Sequence, residues 1–295
     1  MILFIKEKRP KVPYWFLFKY FAVSSSNFFY WKKNQEKKET TKFTKKANIQ
    51  KLTKKIFKSS KNTYGSPRIY KELKKQKIAI CENTVAKYMK ELGLDARLKK
   101  KYRVQTTDSN HSHPVASRLF KVEDETSLPK APGQLLAGDI TYLKLGRHSH
   151  VYLAVVLDLY NREVVGWSIG DSLETDLVLK ALDSAMHAEG PDAEVIFHSD
   201  RGSQYASKAY RNFLKNKNIK PSMSRRGNCY DNAYVESWFA SLKKEWVYRN
   251  SYSSKEELKA LVFEYIEVWY NKKRSHSKLG YMSPVEYKKF NPIGS

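Results

Sequence analysis

Apolar positions along the chain keep two different rhythms, and the change falls near residue 125. Ahead of it they recur every three to four residues against a lysine-rich background, the spacing of one helical face. Ile49, Leu52, Ile56 and Phe57 predict a basic amphipathic helix ending near Ser59, although a solvated lysine face or a linker fits 32–61 equally well. Ser66 and Pro67 open a second helix, in which Ile69 and Leu73 lie one turn apart. After a short break at 77–80, Val85, Met89 and Leu92 mark one face of a third helix over 82–92, which Gly93 ends. Its other face shows Asn83, Thr84, Lys87 and Lys90. Two short helices, a tight turn and a polar second helix suggest a helix-turn-helix. Any helical hairpin has the same outline.

Beyond a polar stretch at 106–114 and breaks at Pro129, Pro132 and Gly133, strands take over. Residues 135–145 predict a strand containing Asp139, and 151–158 a β-branched strand that Asn161 and Arg162 turn into a third at 163–169. Leu177, Leu179, Leu182 and Met186 belong to a helix ending before Gly190 and Pro191. A short strand at 194–198 runs into Asp200, and helices follow at 207–217 and 230–247. A last helix opens at Ser253, whose spacing to Glu256 is that of a capping box. Leu258, Leu261, Val262, Tyr265 and Trp269 form its apolar face. Three strands, a helix, a strand and more helices is the order of a ribonuclease H-like α/β fold. The expected division is a basic helical segment at 1–60, a helix-turn-helix-like domain at 61–105, a linker at 106–127 and an α/β core with a helical tail at 128–290.

Charge separates the same regions. Residues 1–130 hold 32 basic and 11 acidic side chains, whereas 131–295 hold 23 and 19. The front reads as a nucleic-acid handle, since each neutralised phosphate releases condensed counterions. Within the back, 171–200 carries eight acids against the single Lys180, a patch that repels a polyanion unless metal ions mediate. Two cysteines, Cys81 and Cys229, exclude a disulfide framework and a zinc finger. The apolar run at 15–23 is interrupted by Lys19, too short to span a bilayer and aromatic rather than leucine-rich. It reads as a helical core segment of a protein expected in the cytoplasm.

Three carboxylates stand out. Asp139 interrupts an apolar strand, where an unpaired charge is expensive. Asp200 stands where a strand leaves the sheet, and Glu236 lies on a helix with Asn232 one turn before it and Lys243 two turns after. If the first and fourth strands are neighbours, the two aspartates converge and the helix brings Glu236 beside them. Three such groups repel one another without divalent cations. Two magnesium ions resolve the repulsion and organise phosphoryl transfer.

The surrounding residues carry a family resemblance. Phe197-His-Ser-Asp-Arg-Gly-Ser-Gln-Tyr205 and Asp231-Asn-Ala-Tyr-Val-Glu236, with thirty-five residues between Asp200 and Glu236, resemble the DDE transposases of bacterial insertion sequences. The nearest likeness is to the second-frame product (OrfB) of the IS-three family, kin to retroviral integrases. The motif at 139–142, the hairpin at 156–167, the tail at 270–287 and the segments at 64–69 and 83–89 belong to the same resemblance. It implies an integrase-like core with a mixed five-stranded sheet flanked by helices. It also implies that Asp139, Asp200 and Glu236 are catalytic and hold two Mg2+ or Mn2+ ions. The activity implied is cleavage of DNA by water and joining by a DNA 3′-hydroxyl, with no covalent protein–DNA intermediate. Implied partners are double-stranded DNA, as element terminal repeats and target, further copies of the chain on that DNA, and a first-frame (OrfA) partner or fusion. No membrane is implied, and the expected location is the bacterial cytoplasm, in association with the nucleoid.

Candidate DNA contacts are Lys243, Lys244, Arg225, Arg226, Lys272, Lys273, Arg274 and His276 in the core, and Asn83, Thr84 and Lys87 in the helix-turn-helix. Asp158 reads as structural, paired with Arg162. His198 reads as a buried hydrogen-bonded residue or one that orients water or phosphate. The sequence departs from the family at Leu136, where a tryptophan is usual. Two other classes fit parts of the pattern: a DNA-binding regulator or subunit inactive without a fused first-frame partner, and a ribonuclease acting on RNA–DNA hybrids.

Overall fold

The computed structural model describes residues 13–96, 115–121, 124–146, 149–189, 195–225 and 232–291. The chain divides into two compact units, Met1–Arg97 and Leu98–Ser295.

The first unit is helical. Helix α1 spans Tyr14–Tyr20 and α2 spans Ser25–Ser59, about 52 Å at 1.5 Å per residue. Helices α3 (Ser66–Lys75) and α4 (Glu82–Glu91) form the expected hairpin, with Pro67 in the first turn of α3 and Gly93 at a φ of 64° after α4. Ile49, Ile56 and Phe57 are buried together with Ile69, Leu73, Val85 and Met89. The end of α2 packs on both hairpin helices, so segments that composition divides at residue 60 share a core. Ser60 closes α2 by donating its hydroxyl to Phe57 O and accepting Tyr64 N–H.

The segment at 15–23 is helical over most of its length, but it is not core. Trp15 and Tyr20 are 67% and 73% exposed, and only Phe28 is fully buried, with Tyr14, Phe18, Phe21 and Val23 around it. A seven-residue helix has too few positions to hide aromatics on every side.

The second unit is built on a five-stranded mixed sheet in the order β3-β2-β1-β4-β5. Strands β1 (Leu135–Leu145), β2 (Ser149–Asp158) and β3 (Val164–Gly170) form an antiparallel meander. Helix α5 (Thr175–Glu189) then crosses to β4 (Ile196–Ser199), which runs parallel to β1. Helices α6 (Ser203–Ala206) and α7 (Lys208–Asn216) lead to β5 (Lys220–Met223), parallel to β4. This is the ribonuclease H-like arrangement. Strand β5 is invisible to residue patterning, because its four residues include Pro221 and do not alternate cleanly.

Two glycines make room for close packing, one under helix α5 and one under a ring of the neighbouring strand β4. A Cβ on Gly166 would stand 2.2 Å from Ala181 O on α5, and one on Gly138 would stand 2.3 Å from the Phe197 ring. The core between sheet and α5 gathers Leu136, Val156, Leu177, Ala181, Leu182, Ala185, Phe197 and Tyr210. Leu136 is fully buried, so the apolar packing of that position is kept without an aromatic ring.

Residues 115–121, within the expected linker, are docked on the sheet. The Leu119 and Phe120 N–H groups both donate to Ser222 Oγ on β5, and Phe120 is buried. Helix α8 (Ala233–Glu245) packs on β1 through a face containing Val235, Trp238 and Leu242. Helix α9 (Lys255–Phe263) continues into a π-helical stretch, Glu264–Tyr270, whose Tyr265, Trp269 and Tyr270 rings meet Trp238 and Trp246. The α9 cap lies one residue later than the spacing suggests. Ser254 Oγ accepts Glu257 N–H, and Ser253 donates to the Glu257 carboxylate. Asn271 then covers the outer edge of β3, accepting Val164 N–H at 3.0 Å and donating to Val164 O at 2.9 Å. Helix α10 (Pro284–Phe290) ends the described chain behind a full capping box of Ser283 and Glu286. Among the described residues no helix is long and apolar enough to cross a membrane.

Candidate active site

Strand register explains why two distant aspartates meet. The last paired position of β1 and β4 is Ala137 with His198, and Asp139 and Asp200 each stand two residues beyond it. Parallel strands therefore carry both residues to the same level of the sheet. They line one cleft with Ile140, Thr141, Tyr142, Tyr152, Leu173, Gln204 and Tyr205. Asp139 Oδ1 accepts the Ile140 N–H at 2.8 Å, and Asp200 Oδ1 accepts the Gly202 N–H at 2.9 Å.

The electrostatics are those of crowded carboxylates. Burial, then the charges of Asp200 and Glu236, push the Asp139 pKa well above its ordinary 3.8, while the Ile140 N–H and Lys243 oppose the rise. Burial and the same two aspartates also raise Tyr205 far above the usual phenol range. Glu236 stands exposed in the first turn of α8, within electrostatic reach of Asp139 but not among the residues lining the cleft. Among the described residues no three carboxylate, imidazole or thiol groups are gathered tightly enough to hold a metal ion. The Asp139–Asp200 pair is nevertheless a donor set that suits a hard divalent cation: anionic oxygens held in a partly dry setting where like charges oppose each other.

Lys243 sits at the other end of α8. Its ammonium donates to Thr141 Oγ1 at 2.6 Å and lies 4.8 Å from the centre of the Tyr142 ring. Burial lowers its pKa to about 8, against the pull of Asp139 in the other direction. Thr141 was not among the residues singled out from sequence. Its position two residues after Asp139 in a strand, hence on the same face, is the signal that finds it.

Other candidates fall in different places. Asp158 is fully buried and accepts the Gly133 and Tyr160 N–H groups, a structural role, while the Arg162 guanidinium lies 3.7 Å from the centre of the Tyr234 ring. His198 is buried in β4 with Nδ1 2.9 Å from Ser222 Oγ and its ring against Phe120. Asn232 is buried, and Gln204 donates to Leu173 O. Arg225, Lys244, Lys272 and Lys273 are exposed, and His276 is partly buried, edge-on to Tyr270. Arg274 has to be removed from the DNA-contact candidates. It is 4% exposed, and its guanidinium binds Glu245 in two hydrogen bonds of 2.7 and 2.6 Å. Arg226 lies outside the described residues. In the helical unit Asn83 and Lys87 are exposed on α4, and Thr84 Oγ1 is 3.1 Å from Cys81 Sγ.

Comparison with known proteins agrees with this architecture. Two families described as integrase core domains match residues 129–229 and 217–284, and an HTH-like domain family matches residues 45–102. The chain is 40% identical over 235 residues to the transposase InsF for insertion sequence IS3A of Escherichia coli (strain K12), covering 80% of each chain. It is 39% identical over 229 residues to the insertion element IS600 uncharacterized 31 kDa protein of Shigella sonnei, covering 78% of this chain and 82% of that one. Among solved structures, a simian T-cell lymphotropic virus intasome in complex with PP2A regulatory subunit B56 gamma superposes with a TM-score of 0.47 at 13% identity, over 82% of this chain and 77% of that one. With an integrase core, an HTH-like domain and relatives of this identity along most of their length, the chain belongs to the IS3 family of insertion-sequence transposases.

Proposed function

We propose that this chain is a DDE polynucleotidyl transferase that binds the ends of its insertion sequence and carries out DNA strand cleavage and strand transfer. The observation that carries the reading is the meeting of Asp139 and Asp200 in one cleft, with Asp139 held partly dry beside two like charges. Asp139, Asp200 and Glu236 are the residues that would hold two divalent cations, magnesium or manganese. Bound there, the ions supply activation of the attacking oxygen and stabilisation of the leaving one. Lys243, tied to Thr141, presents a cation at the cleft wall, where it can hold a phosphate of the scissile strand. Movement of α8 toward the aspartates on DNA binding would complete the three-acid site. The exposed Arg225, Lys244, Lys272 and Lys273 and the α4 residues Asn83, Thr84 and Lys87 serve as DNA contacts. The reading extends to a homo-oligomer on duplex DNA, a first-frame partner or fusion, and the bacterial cytoplasm and nucleoid as compartment.

A second reading is a DNA-binding regulator or subunit that needs a fused first-frame segment for catalysis. The absence of a tightly gathered three-ligand group among the described residues favours it. The deciding experiment incubates the purified chain with duplex DNA bearing the element's own ends and Mg2+ or Mn2+, beside an Asp200→Ala control. Joined products missing from the control support the transferase. Salt-sensitive binding without joining, in either metal, supports the regulator.

A further inference from the structure

The last turns of α2 have two contrasting faces. Ile49, Thr53, Ile56 and Phe57 are buried, whereas Lys51, Lys54, Lys55 and Lys58 are all exposed. Spaced i, i+3, i+4, i+7, the four lysines make one stripe about 10 Å long, on the side turned away from the α3–α4 hairpin. Two other lysines of this unit sit beside an acid. Lys46 is 2.9 Å from Glu91 and lies over the Tyr88 ring, and Lys75 is 3.2 Å from Glu72. The stripe has no acidic partner among the described residues. Like charges one turn apart weaken a helix, so the uncompensated stripe carries a cost that a bound polyanion removes.

We propose that this stripe is a sequence-independent contact for the phosphate backbone of duplex DNA. The inference rests on the reading that the chain acts on DNA and adds a binding face that neither the α4 residues nor the core candidates supply. Lysine suits the task because it is a mobile point charge with rotatable donors and little capacity to read base edges. An anionic membrane is the less fitting partner. Ala47, Asn48 and Ser59, exposed beside the stripe, are small or polar, and the one large apolar side chain exposed nearby on α2, Phe43, stands two turns before Lys51, too little apolar surface to enter a lipid interface.

The test replaces all four lysines with glutamine in the full chain. Duplex affinity is then measured from low to moderate salt, on element-end DNA and on an unrelated duplex. The logarithmic salt slope is expected to fall by about 3 to 4, equally for both duplexes, with the melting temperature of the free chain held or slightly raised as the like-charge repulsion is lifted. A four-arginine variant should keep the slope. If the glutamine variant does not fold, single Lys54→Gln and Lys58→Gln variants should each lower the slope by about 1. An unchanged slope overturns the proposal, and so does a loss confined to phosphatidylserine vesicles. Strand transfer by the unmodified chain is scored separately. Joining with an unchanged variant slope sinks the stripe alone, whereas a lowered slope in a chain that never joins DNA sinks the transferase reading alone.

Discussion

The guanidinium of Arg162 lies 3.7 Å from the centre of the Tyr234 ring. Arg162 occupies the turn between β2 and β3 at a φ of 62°, and Tyr234 stands two residues before Glu236 in the first turn of α8. The Tyr234 ring also packs 6.3 Å from Phe120, which meets His198 on β4 at 5.2 Å. One stack thus joins the hairpin turn, the helix carrying Glu236 and the strand leading to Asp200.

Breaking this stack should misplace Glu236 more than it weakens DNA binding. A partly desolvated cation–π contact is worth about 2 kcal/mol, so Arg162→Ala or Tyr234→Ala should lower the strand-transfer rate by about tenfold or more. DNA affinity should stay within about twofold, and Tyr234→Phe should behave like the unmodified chain, since the ring face is retained. Single-turnover kinetics beside equilibrium binding separate the two effects. Equal losses in both would argue against a positioning role.

Much of this arrangement was legible in the residues. The β1 bounds, the proline at the start of α3, and the convergence of Asp139 with Asp200 all follow from local pattern and neighbouring strands. What escaped has long-range causes. Strand β5 is fixed by Ile196 pairing with Lys220 and by Ser222 holding residues 119 and 120, not by alternation in Lys-Pro-Ser-Met. Arg274 looked like one more basic residue in a basic tail, and only the fold brings Glu245 against it. Trp15 and Tyr20 looked like core because apolar composition does not say whether a short helix finds a partner.

Gly166 should tolerate no side chain. The position that a Cβ would take is 2.2 Å from Ala181 O and 2.7 Å from Ala185 N, both backbone atoms of α5. Relief requires the helix to lift off the sheet, so Gly166→Ala should cost about 3 kcal/mol or more by denaturant unfolding. Gly93→Ala, with open space around it but a φ of 64°, should cost about 1 kcal/mol. Similar losses at both sites would refute close packing as the cause at Gly166.

The buried Arg274–Glu245 pair should be stiff to salt and sensitive to truncation. Burial disfavours the guanidinium charge, but Glu245 more than offsets this and holds the proton on more firmly than usual. Removing one partner strands the other charge beside Tyr265 and Tyr270, so Arg274→Ala or Glu245→Ala should cost about 3 to 5 kcal/mol. Replacing both with apolar residues of similar volume should recover much of the loss. Thermal melts at low and high salt check both statements, and an additive double variant would contradict direct pairing.

Asp139→Asn should stabilise the metal-free chain while abolishing its response to divalent cations. Burial and the charges of Asp200 and Glu236 raise the folded-state pKa well above 3.8, so between these values the folded chain binds more protons than the unfolded one. The contribution of Asp139 is therefore most favourable below about pH 3.8 and is lost as pH rises through the raised folded-state pKa. Asparagine keeps an oxygen for the Ile140 N–H and removes the charge, so at neutral pH in chelator the variant should melt higher by a few degrees, on the order of 1 kcal/mol. The difference from the unmodified chain should shrink toward acid pH. Added Mg2+ or Mn2+ should raise the melting temperature of the unmodified chain and leave that of the variant in place, because only the former offers the charge the cation compensates. A variant less stable than the parent in chelator at neutral pH would show that Asp139 is held by attractive contacts, and the electrostatic case for a cation in this cleft would fall with that result.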